Sequence, residues 1–216
     1  MFNSIKNVKI LELLIVLILI SFGVLSRFFP HPPNFTPIIS IALFGGAYFS
    51  KKIAFMLPMT IMVISDIFIG YYETNLMIIV YGSFLLCVIL GFWIKKHKKW
   101  HTIFGSSILG ALIFFFLTNF AVWTFTPWYA KTFYGLIQCY LMALPFFKNT
   151  LLGSLFYSVI FFGAYELIGV LIRKKLTMSK INSLIADSPQ KFIRGDKEYY
   201  YSGNIIAVDQ FSEVED

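Results

Sequence analysis

The chain has 216 residues, of which 58% are hydrophobic and only 13% are charged, and it contains 25 Phe, 12 Tyr and 4 Trp. A soluble domain of this length could not bury so much apolar and aromatic side chain behind so few charges, which excludes an ordinary water-soluble enzyme or binding domain. The formal net charge of +7 would suit a nucleic-acid-binding protein, but the lysines lie in short clusters at the ends of apolar runs, which is typical of the cytoplasmic loops of membrane proteins.

Six membrane-spanning helices are predicted in chain order from these apolar runs. A run of about 17–25 apolar residues is long enough to cross the hydrocarbon of a bilayer. The predicted spans are residues 8–26, 36–49, 53–70, 76–94, 103–125 and 149–172. The start of the chain resembles a signal peptide, but Glu12 lies in its apolar run and no cleavage site follows, so the first helix is expected to be retained.

A further apolar stretch, residues 136–147, is too short for a crossing. At about 1.5 Å per residue it would cover only about 18 Å, and it contains Pro145. It is therefore predicted to form a short re-entrant or interfacial helix. The predicted fold is an all-α transmembrane six-helix bundle with this one short additional helix.

The lysine clusters predict the orientation of the bundle. They lie at residues 51–52, 95–99 and 173–175, and six crossings bring all three to the same side. Because lysine and arginine are enriched in cytoplasmic loops, both termini are expected in the cytoplasm.

The composition changes after the last lysine cluster. Residues 1–175 are predicted to form the transmembrane bundle, and residues 176–216, which carry most of the acidic residues, a cytoplasmic tail. The tail is expected to be partly disordered, with residues 198–210 as a stretch that could form a small β-hairpin.

Polar residues gather at the predicted outer ends of the helices. The first group lies in residues 27–37, where four prolines impose an extended or turn structure that holds His31, Asn34 and Thr36 in fixed directions. Asn34 or Thr36 could cap the following helix, or these side chains could bind a ligand.

Two further groups lie within predicted spans. A carboxylate inside an apolar helix is costly unless it is paired or hydrated, so Asp66 is predicted either to pair with Arg27 or His31 or to bind a ligand. Asn119 can hydrogen-bond a substrate or a neighbouring helix. Trp123 could stack on a ligand or belong to an interfacial aromatic belt.

The fourth group begins at Gln138, includes Tyr140 and continues past Pro145. A helix that starts near Asn149 would leave free amides that attract polar ligand groups, although Asn149 could also be a plain cap. Asn149, Gly153 and Tyr157 recur every four residues, so they share one helix face.

Small residues form a stripe at Ala42, Gly46 and Ser50. This spacing allows two helices to approach closely, either inside the bundle or at a surface where a partner membrane subunit docks. Cys87 and Cys139 lie in apolar stretches and are predicted to be packing residues. No metal-binding spacing, phosphate-binding loop or nucleophile–base motif is present, so no metal, cofactor or enzymatic reaction is predicted.

Several ordered motifs carry a family resemblance. They are His-Pro-Pro-Asn-Phe-Thr-Pro (31–37), Ala-Leu-Phe-Gly-Gly-Ala-Tyr-Phe (42–49), Ser-Asp (65–66), Thr-Asn-Phe-Ala-Val-Trp (118–123) and Ala-Leu-Pro-Phe-Phe-Lys-Asn-Thr-Leu-Leu-Gly (143–153). The chain resembles a family of functionally uncharacterised bacterial membrane proteins, which implies a multi-pass protein of the bacterial cytoplasmic (inner) membrane. That family is similar in architecture to the substrate-binding S components of energy-coupling-factor transporters. The similarity implies an outward-facing pocket and a docking face for a transmembrane coupling subunit with its ATPases.

The predicted function is therefore the binding and uptake of a small polar or aromatic micronutrient, with no role for nucleic acid. The asparagines would hydrogen-bond the ligand, Asp66 would hold a cationic or donor group, and Tyr140 or Trp123 would stack on it. The predicted binding residues are His31, Asn34, Thr36, Asp66, Asn119, Trp123, Tyr140, Asn149 and Tyr157. The alternatives are a membrane enzyme that acts on a lipid or isoprenoid, with His31 and Asp66 as acid and base, and a structural or assembly protein.

Overall fold

The computed structural model describes the backbone of residues 2–187, 190–194, 197–202 and 205–207, and the side chains of residues 10–183. Within these residues it contains six helices and three strands, in the order α1 (Phe2–Ser26), α2 (Ile38–Tyr48), α3 (Lys51–Ile69), α4 (Thr74–Lys96), α5 (Trp100–Phe125), α6 (Phe133–Asp187), β1 (Gln190–Arg194), β2 (Lys197–Ser202) and β3 (Ile205–Ala207). The predicted six-helix fold is confirmed.

The helices have the length and surface of membrane spans. Among the described residues, α3, α4, α5 and α6 are each long and apolar enough to cross a membrane. Their outward faces remain apolar: Phe68 is 74% exposed and Phe116 is 53% exposed. So much exposed apolar surface is compatible with lipid rather than water as the solvent. The chain is therefore a multi-pass membrane protein.

The short helix α2 lies at the centre of the bundle. Every residue from Ile38 to Ala47 is buried, and α2 packs against α3, α4 and α5. At about 1.5 Å per residue its length is too small to cross a bilayer alone. A helix that is apolar apart from one small hydroxyl residue, and that has no charged face, can be enclosed by a bundle on all sides.

A pair of glycines allows α2 and α4 to come into backbone contact. A Cβ atom on Gly46 would lie 2.3 Å from the Val88 carbonyl oxygen and 2.8 Å from the Gly91 Cα atom. Ala42, one turn earlier, is also fully buried. This part of the small-residue stripe therefore serves packing inside the chain, and it leaves Ala42 and Gly46 no surface for a partner subunit. Ser50 lies at the exposed turn between α2 and α3.

Buried serines connect α2, α5 and α6. The hydroxyl oxygens of Ser107 and Ser158 lie 2.8 Å apart, and those of Ser158 and Ser40 lie 3.1 Å apart. Ser40 donates to the carbonyl oxygen of Ser154 at 2.8 Å. Hydrogen bonds between membrane helices each contribute about 0.6–2 kcal/mol, so this chain of hydroxyls fixes the three helices relative to one another.

The predicted re-entrant helix is not a separate element. Residues 136–147 form part of α6, which continues through Pro145 to Asp187. Proline in a helix removes one backbone hydrogen bond and crowds the preceding turn, and membrane helices tolerate this loss better than soluble ones. The prediction failed because it treated Pro145 as a helix end.

The chain divides into two compact units, Met1–Ala164 and Tyr165–Asp216, and the boundary lies within α6. In the second unit, helix extends to Asp187, twelve residues beyond the predicted end of the bundle. β1 pairs with β2, and β2 pairs with β3, both antiparallel. The pairing of Ser202 with Ile205 agrees with the hairpin alternative for residues 198–210 as far as these are described, and the rest of the predicted tail, residues 208–216, lies outside the described residues.

The first unit has two ends. The proline end contains residues 27–37 (the proline loop), the α3–α4 turn and the α5–α6 turn. The lysine end contains the α2–α3 turn and the α4–α5 turn, residues 97–99. Two lysines join the turns of the lysine end: Lys95 donates to the carbonyl oxygen of Phe49 at 3.5 Å, and Lys98 lies 4.5 Å above the ring of Tyr48.

Candidate functional site

The proline loop enters α2 through a left-handed residue. Asn34 has a φ of 64°, a conformation that asparagine tolerates better than most other non-glycine residues. The residue before α2 is Pro37, and no side chain caps the helix. The interpretation of Asn34 or Thr36 as a cap is therefore wrong, and the side chain of Asn34 is left for another role.

One face of α6 supports the proline loop. The side-chain amide of Asn149 donates to the carbonyl oxygen of Pro33 at 3.0 Å. A Cβ atom on Gly153 would lie 3.2 Å from the Cα atom of Phe35, and the ring of Tyr157 lies 5.6 Å from that of Phe35. The predicted shared face thus exists. Asn149 lies within α6 rather than at its start, so the predicted free amides are not there.

A buried ion pair joins the start of the proline loop to α3. The guanidinium of Arg27 donates to Oδ1 of Asp66 at 2.6 Å, and the side chains are 17% and 1% exposed. Of the two partners predicted for Asp66, Arg27 is confirmed. Burial of two charges is costly, and it is offset only when good geometry and further hydrogen bonds satisfy both groups.

Further hydrogen bonds complete this pair. The second carboxylate oxygen of Asp66 accepts from the hydroxyl of Tyr81 at 2.7 Å, and Arg27 also donates to the hydroxyl of Ser65. In the α3–α4 turn, partial burial and the negative charge of Asp66 raise the pKa of the Tyr72 phenol to about 12. Both carboxylate oxygens are therefore occupied within the protein, and Asp66 holds α1, α3 and α4 together.

A cavity of about 210 Å³ lies at the proline end, between the proline loop, α4, α5 and α6. Most of its lining side chains are aromatic or aliphatic, and the polar groups come from the loop, α5 and α6. Its lining residues are Asn34, Leu76, Val80, Phe114, Phe115, Thr118, Asn119, Val122, Ala143, Phe146, Phe147 and Thr150. No charged side chain is among these lining residues in the described part of the chain.

The two threonine hydroxyls of the cavity are left as hydrogen-bond acceptors. Thr118 and Thr150 each donate their single hydroxyl proton to the carbonyl oxygen four residues earlier, at 2.7 Å and 2.9 Å. Asn119 donates one amide proton to Phe115 at 2.7 Å. A hydroxyl that has donated still has free lone pairs, and an asparagine keeps its carbonyl oxygen. The cavity therefore offers acceptor oxygens to a ligand that brings N–H or O–H donors, and Asn34 and Asn119 also retain amide N–H groups.

Two predicted binding residues, Asn34 and Asn119, are brought together at this cavity. The others lie elsewhere at the same end of the unit. Trp123 donates its indole N–H to the carbonyl oxygen of Ala130 at 2.9 Å, and Tyr140 donates to that of Phe116 at 2.8 Å. His31 contacts the carbonyl oxygen of Pro32 through Nδ1 at 2.9 Å. Thr36 is half-buried beside the loop's contact with α6.

The sequence reasoning missed two polar residues of the cavity, Thr118 and Thr150. Thr118 directly precedes Asn119, and Thr150 directly follows Asn149. Each threonine is therefore the chain neighbour of a predicted site residue and faces a different side of its helix. On α5, Thr118, Phe114 and Val122 are spaced at four residues, and this apolar spacing was the available signal that Thr118 faces inward.

The described residues contain no cluster that could hold a metal ion. Cys87 and Cys139 are both buried and free, in agreement with a packing role. The thiol of Cys139 donates to the carbonyl oxygen of Asn119 on α5 at 3.4 Å.

A protein family matches most of the chain. It is described as a family of unknown function, DUF6580, and its match covers residues 7–178. The chain belongs to DUF6580. No curated protein and no solved structure matches the chain.

The DUF6580 match covers all the elements that form the cavity and the ion pair. Membership of an uncharacterised family is thus confirmed. The more distant similarity to transporter S components finds no support in these comparisons and stays a prediction.

Proposed function

We propose that this DUF6580 protein is a membrane-embedded binding subunit that captures a small, uncharged, donor-bearing ligand for uptake. The observation that carries the proposal is the cavity at the proline end, where acceptor oxygens of Thr118, Asn119 and Thr150 lie among the rings of Phe114, Phe115 and Phe147. Pockets that bind small molecules are typically apolar and aromatic with a few polar groups that fix the ligand's orientation.

The cavity limits the size and charge of the ligand. An apolar cavity of about 150 Å³ accommodates a benzene ring, so a volume of about 210 Å³ suits one substituted ring. A fully charged ligand would lose its hydration without meeting an opposite charge, which is unfavourable in such surroundings. A flat aromatic ring with amine, amide or hydroxyl donors satisfies both conditions.

The uptake role rests on the predicted orientation. If the lysine end faces the cytoplasm, the cavity at the proline end faces the outside, where a substrate-binding subunit must take up its ligand. Energy for movement would come from a transmembrane coupling subunit with ATPases, as in the S-component arrangement. A partner would dock on an exposed apolar helix face, such as those of α1 and α6, because Ala42 and Gly46 are enclosed.

The enzyme alternative has weaker support from the geometry. Its proposed base, Asp66, accepts hydrogen bonds from Arg27 and Tyr81 on its two oxygens. A general base needs a free lone pair that reaches the proton it removes. The cavity, by contrast, offers unfilled acceptors without a nucleophile, which is the chemistry of a binding site.

Replacement of Thr118 by valine tests the proposal. The change keeps the side-chain shape and removes one acceptor, so we expect the affinity for the bound ligand to fall by about tenfold, equivalent to one hydrogen bond of about 1–1.5 kcal/mol. Native mass spectrometry of protein released directly from its own membranes should show a co-purifying small molecule on the wild type and a reduced fraction on Thr118→Val.

Thr124→Val is the matched control. Thr124 lies on the same helix and makes the same bond to the carbonyl four residues earlier, at 2.8 Å, but it does not line the cavity. Ala143→Phe, which fills the cavity, should abolish retention. A wild-type protein without any bound small molecule, or equal retention by Thr118→Val and Thr124→Val, would contradict the proposal.

A further inference from the structure

A second cavity, of about 250 Å³, lies at the lysine end of the first unit. It is lined by Trp93, His97, Lys99, His101 and Thr102. These residues belong to the end of α4, the tight turn that follows and the first turn of α5. No acidic side chain is among the lining residues in the described part of the chain, so the cavity has a positive or neutral wall throughout.

The first turn of α5 contributes two backbone donors, unpaired among the described residues, beside this cavity: Thr102 and Ile103 donate their N–H groups to the carbonyl oxygen of Lys99, which leaves those of Trp100 and His101. The residue before the helix is Lys99, whose side chain does not cap it. The first amides of a helix have no partner within the helix, and together with the helix dipole they attract an anion. Lys99 also lines the cavity, whereas the neighbouring Lys95 and Lys98 are engaged with Phe49 and Tyr48.

A buried hydroxyl provides independent support for a ligand. Thr102 lines the cavity and is only 5% exposed, yet its hydroxyl has no hydrogen bond to any residue that the structure describes. A polar side chain this deeply buried normally has a partner, so the Thr102 hydroxyl is available to a ligand in the cavity. One turn deeper on the same face, Ser106 is also buried without a partner among the described residues.

The setting suits the headgroup region of a bilayer. Trp93 and Trp100 are each about half exposed on either side of the turn, and tryptophan is enriched at the membrane–water interface. Basic pockets between helices at this level bind anionic headgroups. A phosphate group in the cavity would meet the Lys99 ammonium, the free amides of α5 and the Thr102 hydroxyl at once.

We propose that the cavity formed by Trp93, His97, Lys99, His101 and Thr102 is a binding site for a phosphate anion, presented by a lipid headgroup or free in solution. The site is distinct from the cavity at the proline end and does not depend on the uptake role. Its occupation would neutralise part of the lysine-rich turn and fix the connection between α4 and α5.

The test uses the purified full-length protein, freed of lipid in a neutral detergent. Native mass spectrometry or calorimetry would follow titration with dioctanoyl-phosphatidylglycerol, with dioctanoyl-phosphatidylcholine and with inorganic phosphate. We expect one phosphatidylglycerol per chain, bound at least about tenfold more tightly than phosphatidylcholine, because only the former keeps a net negative charge. Lys99→Gln should weaken this binding by about tenfold and Thr102→Val by about fivefold.

Lys51→Gln is the matched control, since it removes an exposed lysine from the other turn of the same end without touching the cavity. Tight binding of phosphatidylglycerol with weak binding of phosphate would support the site with a lipid as its source. Phosphate that binds as tightly and competes with the lipid would support it with free phosphate as the source. Equal affinity for the two lipids, or equal effects of Lys51→Gln and Lys99→Gln, would overturn it.

Discussion

Replacement of Asp66 by alanine is expected to lower the free energy of unfolding by about 3–5 kcal/mol. The substitution leaves the guanidinium of Arg27, which is 17% exposed, without its counter-charge, and it also removes the acceptor of the Tyr81 hydroxyl. An unpaired charge in low-dielectric surroundings is more costly than the pair that it came from. Unfolding of the protein in mixed detergent micelles would measure the loss.

The double variant Arg27→Met, Asp66→Leu distinguishes the cost of one unpaired buried charge from the contribution of the intact ion pair. When both charges are replaced by apolar groups of similar size, a buried pair is often lost at little cost, so the double variant should be clearly more stable than Asp66→Ala. Glu73→Gln is the control: it removes an exposed acid from the same end, and glutamine keeps the oxygen that accepts from the Leu76 amide at the start of α4. Additive losses in the double variant would show that Arg27 and Asp66 do not act as a pair.

Replacement of Gly46 by alanine is expected to destabilise the bundle by about 1–3 kcal/mol, although alanine favours a helix more than glycine does. The new Cβ atom would lie 2.3 Å from the carbonyl oxygen of Val88 and 2.8 Å from the Cα atom of Gly91. Both neighbours are backbone atoms, so α2 and α4 must separate to admit the methyl group. Detergent-unfolding curves of the variant and the wild type provide the comparison.

The opposite sign is expected at Gly82, which lies on α4 with open space where a Cβ atom would stand. There the change to alanine adds helix propensity without a clash, so Gly82→Ala should be neutral or more stable by up to about 1 kcal/mol. If Gly46→Ala and Gly82→Ala had the same effect, the close approach of α2 and α4 would not be a determinant of the fold.

The sequence was sufficient to predict the six spanning helices and their order. Apolar runs separated by lysine clusters locate α3, α4 and α5 to within a few residues, because bilayer thickness sets the length of a span. The same reasoning could not reveal that α6 continues through Pro145. The energetic cost of a proline within a helix depends on the neighbours that satisfy the freed carbonyl, and those neighbours are distant in sequence.

The candidate site could be predicted only in part. The sequence indicated that polar residues gather at one end, and Asn34 and Asn119 do line the same cavity. It could not distinguish Asn149, which holds the proline loop, from Thr150, which faces the cavity, because adjacent helix residues point about 100° apart and only the packing partners decide which faces inward. The choice between pairing and ligand binding for Asp66 likewise required the position of Arg27.

The sequence and contacts of the proline loop favour a cavity wall that is already ordered before a ligand binds. Its prolines limit the conformations that the unfolded loop can adopt, which reduces the entropy lost when the loop folds over the cavity. Asn149, Gly153 and Tyr157 then hold it against α6, and Arg27 anchors its start to α3. A wall that is already in place before the ligand arrives costs less binding free energy than one that must become ordered.

The orientation of the proline end is the claim on which the uptake proposal depends, and cysteine labelling of intact cells tests it directly. Single cysteines at Pro33 and Trp128, in a chain that carries Cys87→Ala and Cys139→Ala, should react with a membrane-impermeant maleimide from outside. Cysteines at Lys52 and Lys96 should react only after the membrane is permeabilised. Labelling of Lys52 and Lys96 in intact cells, with Pro33 and Trp128 protected, would place the cavity on the cytoplasmic side and contradict capture from outside.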